Sequence, residues 1–382
     1  MKKFLAFLMA FTMLLSLSAC NFSNILQTIS DTPHAHKGKI AIITGTSMQA
    51  DGEFSAAAKM KQKYGDRIVL STYPDSFSDN PDITIDTIKK LASNSDIKAL
   101  IFIQAVAGSG AALEKAKQIN PDLLVIAGLP GEDPEIISSV CDIVLSMDLI
   151  NGTGSNVPLQ AKKMGAKTLV HYSFPRHMSL SYVSDCRDIM KKTCEEIGIK
   201  FVDATAPDPT DKSGIPAVQK FIAENVPKQI EQYGKDTAFY STNRATQVPL
   251  IKSVIANGAI YPQQHSPSAL HDFPEALGIE IPPDKSFDTD FVVSAITDKV
   301  SELNMTGRLS TWSVPIVLTI IEGSTDYAFK YIDGELTQKL DEKVLIECLK
   351  LAADGNLTVK NFSTNNAEYP NYFTLSSDYV TF

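Results

Sequence analysis

The sequence predicts an α/β protein whose body is built from two lobes, each around a parallel sheet. Three observations carry this. Short runs of Val, Ile and Leu recur from Lys39 onward, as in strands covered on both faces. Amphipathic stretches separate them. A Gly stands at the helix-to-strand junction at Gly65, Gly165, Gly198, Gly234 and Gly258, where the left-handed conformation favours it.

The first set of strands falls at 39–44, 67–72, 99–104, 123–127 and 142–147. The second falls at 168–174, 200–204, 237–242 and 259–262. One sheet of this width would be unusual. The turn-rich segment M-D-L-I-N-G-T-G-S at 147–155 separates the sets. Residues 39–148 are therefore expected to form one lobe and 149–264 a second, with Asp148–Ser155 as a crossover. After Gln264 the rhythm loosens into Pro-rich loops. A helix is expected over about 288–304, capped by its D-T-D segment, and another near 341–353. Strand-like runs follow at 357–362 and 372–375. Residues 265–382 are expected to supply hinge-crossing segments and elements shared between the lobes.

The chain has 382 residues and a net charge of −9. The acidic balance argues against a nucleic-acid binder, which would show a basic face. Residues 1–19 read as a signal peptide: Lys2 and Lys3, an apolar run from Phe4 to Leu15, then small residues. That run is too short to span a bilayer, which takes roughly 20 residues. Residues 20–38 read as a tether. His34 and His36 within it lack further ligands to complete a metal set, and no metal is expected. Of the other cysteines, Cys186 and Cys194 stand eight apart on one predicted helix, too distant for a disulfide. With Cys141 and Cys348 they read as buried small apolar residues.

The segment L-S-A-C at 17–20 resembles the bacterial lipobox, which implies lipidation at Cys20 and anchoring to a membrane. Three further segments carry a second resemblance. They are E-F-S-A-A-A-K-M-K-Q-K-Y-G-D-R-I-V (53–69), the helix-strand-helix-strand run over 88–127, and F-Y-S-T-N-R-A-T-Q-V-P-L-I-K-S-V-I-A-N-G (239–258). Over about 39–261 the sequence resembles the type I periplasmic binding proteins, and with the lipobox a family of lipoproteins of Gram-positive type. The resemblance implies two Rossmann-like lobes joined by a hinge of about three crossings. It also implies a small-molecule ligand held between them, an ABC permease as partner, no cofactor and no catalysis. A monomer on the extracytoplasmic face of the membrane is expected. The alternatives are a ligand-sensing receptor and, further off, a surface enzyme. A DNA-binding regulator would need a head before Lys39, where the leader and tether stand.

Ligands of open α/β sheets sit beyond the carboxyl ends of the strands. In the first lobe this points to Ser47, Met48, Gln104, Pro130 and Asp148. In the second it points to Tyr172, Phe174, Arg176, Asn243, Arg244, Gln263 and Gln264. Trp312, the single Trp, is a candidate stacking platform with a core position as the plainer alternative. Sugar-binding members carry Asn-Asp where this chain has Asn243-Arg244. Arg cannot accept a hydrogen bond and suits carboxylate or phosphate, so the ligand is expected to bear an anionic or carbonyl edge. Enzyme motifs are weak. A-G-S-G-A-A-L at 107–113 has Leu113 where a third dinucleotide-binding glycine would stand. G-T-S-M-Q at 45–49 has Gln49 where a nucleophile elbow has Gly.

Overall fold

The computed structural model describes residues 38–46, 51–74, 81–104, 108–209, 211–353, 356–363 and 367–382. The leader, Cys20, the tether, Ser47 and Met48 lie outside them. Residues 39–382 form one compact unit.

Within it the chain builds two principal sheets. β1 (Lys39–Thr44), β2 (Ile68–Thr72), β3 (Ile97–Ile103), β4 (Leu124–Gly128) and β5 (Ile143–Met147) pair in parallel. β10 (Leu357–Ser363) and β11 (Glu368–Ser377) extend this sheet to the order β10-β11-β5-β4-β3-β1-β2. β11 is parallel to β5, whereas β10 runs antiparallel to β11. The unbroken apolar runs follow from burial on both faces. Helices Asp51–Tyr64, Ile316–Ile332 and Glu342–Ala352 cover one face through Met60, Ile320, Tyr327 and Leu349. Helices Pro81–Ala92, Ser109–Ile119 and Pro134–Val140 cover the other through Ile88, Leu113 and Ile137.

In the second lobe, β6 (Thr168–Ser173) lies between β7 (Lys200–Thr205) and β8 (Thr237–Ser241), all parallel. The expected strand at 259–262 is reduced to isolated bridges at Ile260 and Tyr261. Pro262 follows at once and has no N–H to continue a ladder. The five junction glycines all have positive φ, from +59° to +92°. Asp288 and Asp341 cap their helices by accepting N–H bonds from Phe291 and Val344. Cys141, Cys186, Cys194 and Cys348 are free and buried.

The tail divides between the lobes. Leu277, Val292 and Met305 pack in the second core, and residues from Trp312 through Leu375 pack in the first. The chain thus crosses three times, at Asp148–Ser155, at Ser310–Pro315 and between Ser377 and Tyr379. The first crossing is a π-helical turn, Ile150–Ser155. The other two meet in a small antiparallel sheet of β9 (Ser310–Trp312) and β12 (Tyr379–Thr381). Phe382 then enters the second core against Phe273. Side chains knit the crossings together. Gln160 Nε2 donates to Ser310 Oγ (3.1 Å) and Thr381 Oγ1 (2.9 Å). The Ser313 and Ser377 hydroxyls share a hydrogen bond of 2.9 Å.

Candidate functional site

The loops leaving the strands meet in a cleft between the lobes with about 80 Å³ of free space. Gly52, Glu53, Gln104, Leu129, Met147 and Val317 line it from the first lobe, and Arg244, Ser266, His271 and Asp272 from the second. Gln104 directly follows β3, Leu129 follows β4 and Met147 ends β5. Arg244 stands three residues past β8. These are the carboxyl ends of the parallel strands.

The backbone is bent to this purpose. Gln104, Leu129 and Asp272 have φ of +56°, +51° and +62°. They are three of the four non-Gly residues with positive φ among the described residues. Such conformations are unfavourable and gather at functional sites. Extra bonds hold them: the Gln104 N–H donates to the Gly128 carbonyl (2.7 Å) and the Leu129 N–H to the Leu145 carbonyl (2.7 Å). The loop carrying His271 and Asp272 is fixed by Gln264, whose amide donates to the Ser268 carbonyl (2.7 Å) and the His271 carbonyl (3.1 Å).

Glu53 is the centre of the electrostatics. It sits in the first turn of helix Asp51–Tyr64 and is 6% exposed. Burial pushes its carboxyl up to about 7, against the opposing pull of a hydrogen bond from the Gln104 amide and the Arg244 charge. Its Oε1 accepts from Gln104 Nε2, and its Oε2 is buried with no hydrogen-bond partner. Burial also raises Asp272 to about 6; Arg244 opposes this and Glu275 adds to it. His265 is pushed down to about 4, first by burial and then by the charges of His177 and Arg244. Arg244 is exposed to the cleft. Its guanidinium makes no hydrogen bond or ion pair with a described residue. Gly52 lets the lobes approach: a Cβ there would lie 2.6 Å from His271 Cε1.

Of the residues expected from sequence, the structure brings Gln104 and Arg244 together in the cleft. The others stand elsewhere or carry structural bonds. Pro130 is half-buried outside the lining, which its neighbour Leu129 supplies instead. Asp148 is buried and its Oδ1 accepts the Asn151 N–H (2.8 Å), capping the first crossing. Tyr172 is core, with its hydroxyl donating to Asn225 Oδ1 (2.8 Å). Phe174 is buried against His177, its ring beneath the Arg176 guanidinium. Arg176 itself is held in a two-point ion pair by Asp208, at 2.7 and 2.9 Å. Asn243 caps the 3-10 turn Arg244–Thr246 by accepting the Ala245 N–H (2.9 Å). Gln263 ties the hinge by donating to Thr153 Oγ1 (3.3 Å) and accepting from the Tyr379 hydroxyl. Gln264 supports the 266–272 loop from behind, its Oε1 accepting from Thr311 Oγ1 (2.5 Å). Trp312 is buried in the hinge sheet.

Sequence reasoning missed Glu53, Ser266, His271, Asp272 and Val317, and in the strand-end loop 128–130 it singled out Pro130 where Leu129 lines the cleft. The one available signal was an acidic residue in the first turn of the helix after β1, a carboxylate beside the first strand end. The glycine-rich stretch near 107–113 has its own occupant. The Gly110 N–H donates to Glu132 Oε2 (2.8 Å), the Gly108 N–H donates to Glu132 Oε1, and Leu113 is core.

The model of the family "Protein of unknown function (DUF3798)" matches residues 38–310. The chain belongs to this family. An uncharacterized protein of Treponema pallidum (strain Nichols) is 39% identical to the DUF3798 chain over 189 residues, half of this chain and 85% of that protein. A crystal structure described as a transcriptional regulator from Clostridium difficile 630 superposes with a TM-score of 0.80 at 22% identity, over 90% of this chain and 99% of that one. The arabinose ABC transporter binding protein of Shewanella sp. ANA-3, bound to α- and β-L-arabinofuranose, superposes at 0.52 with 11% identity, over 90% and 92% of the two chains. The DUF3798 chain has the fold of the type I periplasmic binding proteins. Among the described residues, no helix is long and apolar enough to cross a membrane.

Proposed function

We propose that this protein captures a small polar organic ligand in the interlobe cleft, with Arg244 engaging an anionic or carbonyl edge of it. The observation that supports this most is the guanidinium of Arg244, without a hydrogen bond or ion pair among the described residues, in a lining drawn from both lobes. A site assembled from two lobes joined by three crossings suits closure around a solute. A buried carboxyl near neutrality such as Glu53 also suits acid–base chemistry, so capture and turnover are separated by experiment. The full chain is screened by thermal shift against sugars, nucleosides, amino acids and carboxylates, since a ligand of the folded state raises the midpoint. Bound material is then recovered and weighed by mass spectrometry. A shift with the ligand recovered intact supports capture. No shift across the panel, or a chemically altered ligand, refutes it.

The proposal extends to a lipid anchor at Cys20, an extracytoplasmic position, a monomeric state and delivery to an ABC permease. Incorporation of labelled palmitate, lost in Cys20→Ala, tests the anchor.

A further inference from the structure

We infer that the cleft takes an amphoteric ligand, with a protonated amine directed at Glu53 and Asp272 and a carboxylate directed at Arg244. This rests on the ligand-capture reading above and narrows it.

The donors and acceptors left open in the cleft define the complement. Glu53 lines the cleft, and its Oε2 is buried with no hydrogen-bond partner among the described residues. Buried polar atoms in native proteins are satisfied by something, and a carboxylate oxygen is satisfied by a donor. The Asp272 carboxyl has no hydrogen-bond partner among the described residues either. It is held in place by a backbone in the left-handed region. Opposite them Arg244 brings a fixed positive charge and can only donate. Burial, and after it the charges of His177 and Arg244, pushes the His265 imidazole down to about 4, so it adds no charge near pH 7.

Three ligand classes meet this lining differently. A simple anion satisfies Arg244 but presses against the ionised Asp272 and, to the extent that it is ionised, Glu53, a like-charge arrangement that discriminates against it. A neutral sugar supplies donors for Glu53 but no charged partner for the guanidinium. A molecule with an ammonium at one end and a carboxylate at the other satisfies all three groups at once. Charge-assisted bonds at both ends are the stronger kind.

The test uses matched probes on the full chain, read by calorimetry and thermal shift. Serine, β-alanine and 4-aminobutyrate are each paired with the acid lacking the amine: 3-hydroxypropionate, propionate and butyrate. Ribose and arabinose are the neutral probes. At least one amino acid should bind tenfold or more tightly than its deaminated partner. Glu53→Gln should cut that preference at least fivefold, whereas Arg244→Ala should weaken both members of the pair. Asp272→Asn provides a second carboxyl variant should Glu53→Gln fail to fold. Binding of sugars or deaminated acids without binding of amines would overturn the inference and leave ligand capture standing. Silence across the full panel would overturn both. Equal loss of both pair members in Glu53→Gln and Asp272→Asn would also overturn the inference.

Discussion

The hinge and the cleft are built from similar residues and treated in opposite ways. In the hinge, the Gln160, Gln263 and Ser313 side chains all find partners, and Trp312 is buried against the first-lobe core. In the cleft, a buried carboxylate oxygen has no donor and a guanidinium no acceptor among the described residues. Three residues there also hold unfavourable backbone conformations. The same contrast separates two arginines of the second lobe. Arg176 is clamped by Asp208, whereas Arg244 is open. Framework groups such as Thr84 Oγ1, Ser109 Oγ and Gln229 Oε1 are also buried without a partner among the described residues, so what marks the cleft is an open carboxyl and an open guanidinium brought together, not an unsatisfied atom alone.

The largest test of this contrast breaks the framework. Trp312→Ala should lower stability by about 3–5 kcal/mol, the usual result of emptying a buried aromatic site, measured by urea unfolding. A small loss there would mean that the ring is not a hinge element. The next relieves the site. Glu53 has a folded-state value near 7, above its ordinary 4.5, so the folded protein holds this proton more tightly than the unfolded chain. Stability from this group is therefore lost as pH rises from about 4.5 to 7. Glu53→Gln should leave stability unchanged near pH 4 and raise it above pH 8, by up to about 3 kcal/mol. A variant less stable than the parent at pH 8 would show that the carboxylate is already well satisfied.

Arg244→Ala should cost about 2 kcal/mol of ligand affinity, typical of a bond to a charged group. Its unfolding midpoint without ligand should barely move. Unchanged affinity would remove the guanidinium from the site. The smallest effect is expected from Arg176→Ala. Its pair with a largely buried Asp208 is open to solvent at the arginine end and contributes about 1 kcal/mol to stability, and affinity should stay at the parent value. A large affinity loss would erase the distinction between the two arginines.

The fold was legible because it is written periodically. Gly65, Gly165, Gly198, Gly234 and Gly258 mark helix ends, and unbroken apolar runs mark strands covered twice. Gln104 and Arg244 were legible because strand-end position alone places them. Tyr172 was misjudged because a strand buried on both faces sends alternate residues into core on either side. Asn243 and Asp148 were misjudged because the chemistry that caps a turn is the chemistry that holds a ligand. Glu53 left only the faint signal of a carboxylate beside the first strand end, and Asp272 left none. An acidic residue at a helix start or in a Pro-rich loop is ordinary, and only three-dimensional burial makes these two exceptional.

Gly52 carries one more consequence. Two halves of a molecule meet there across a gap that admits a hydrogen atom but no methyl group, because the His271 ring occupies the space. The position works as a latch seat: it is the lack of a side chain, and no attraction, that lets the jaws come home. One added carbon would push that ring aside, and with it a group that lines the cleft.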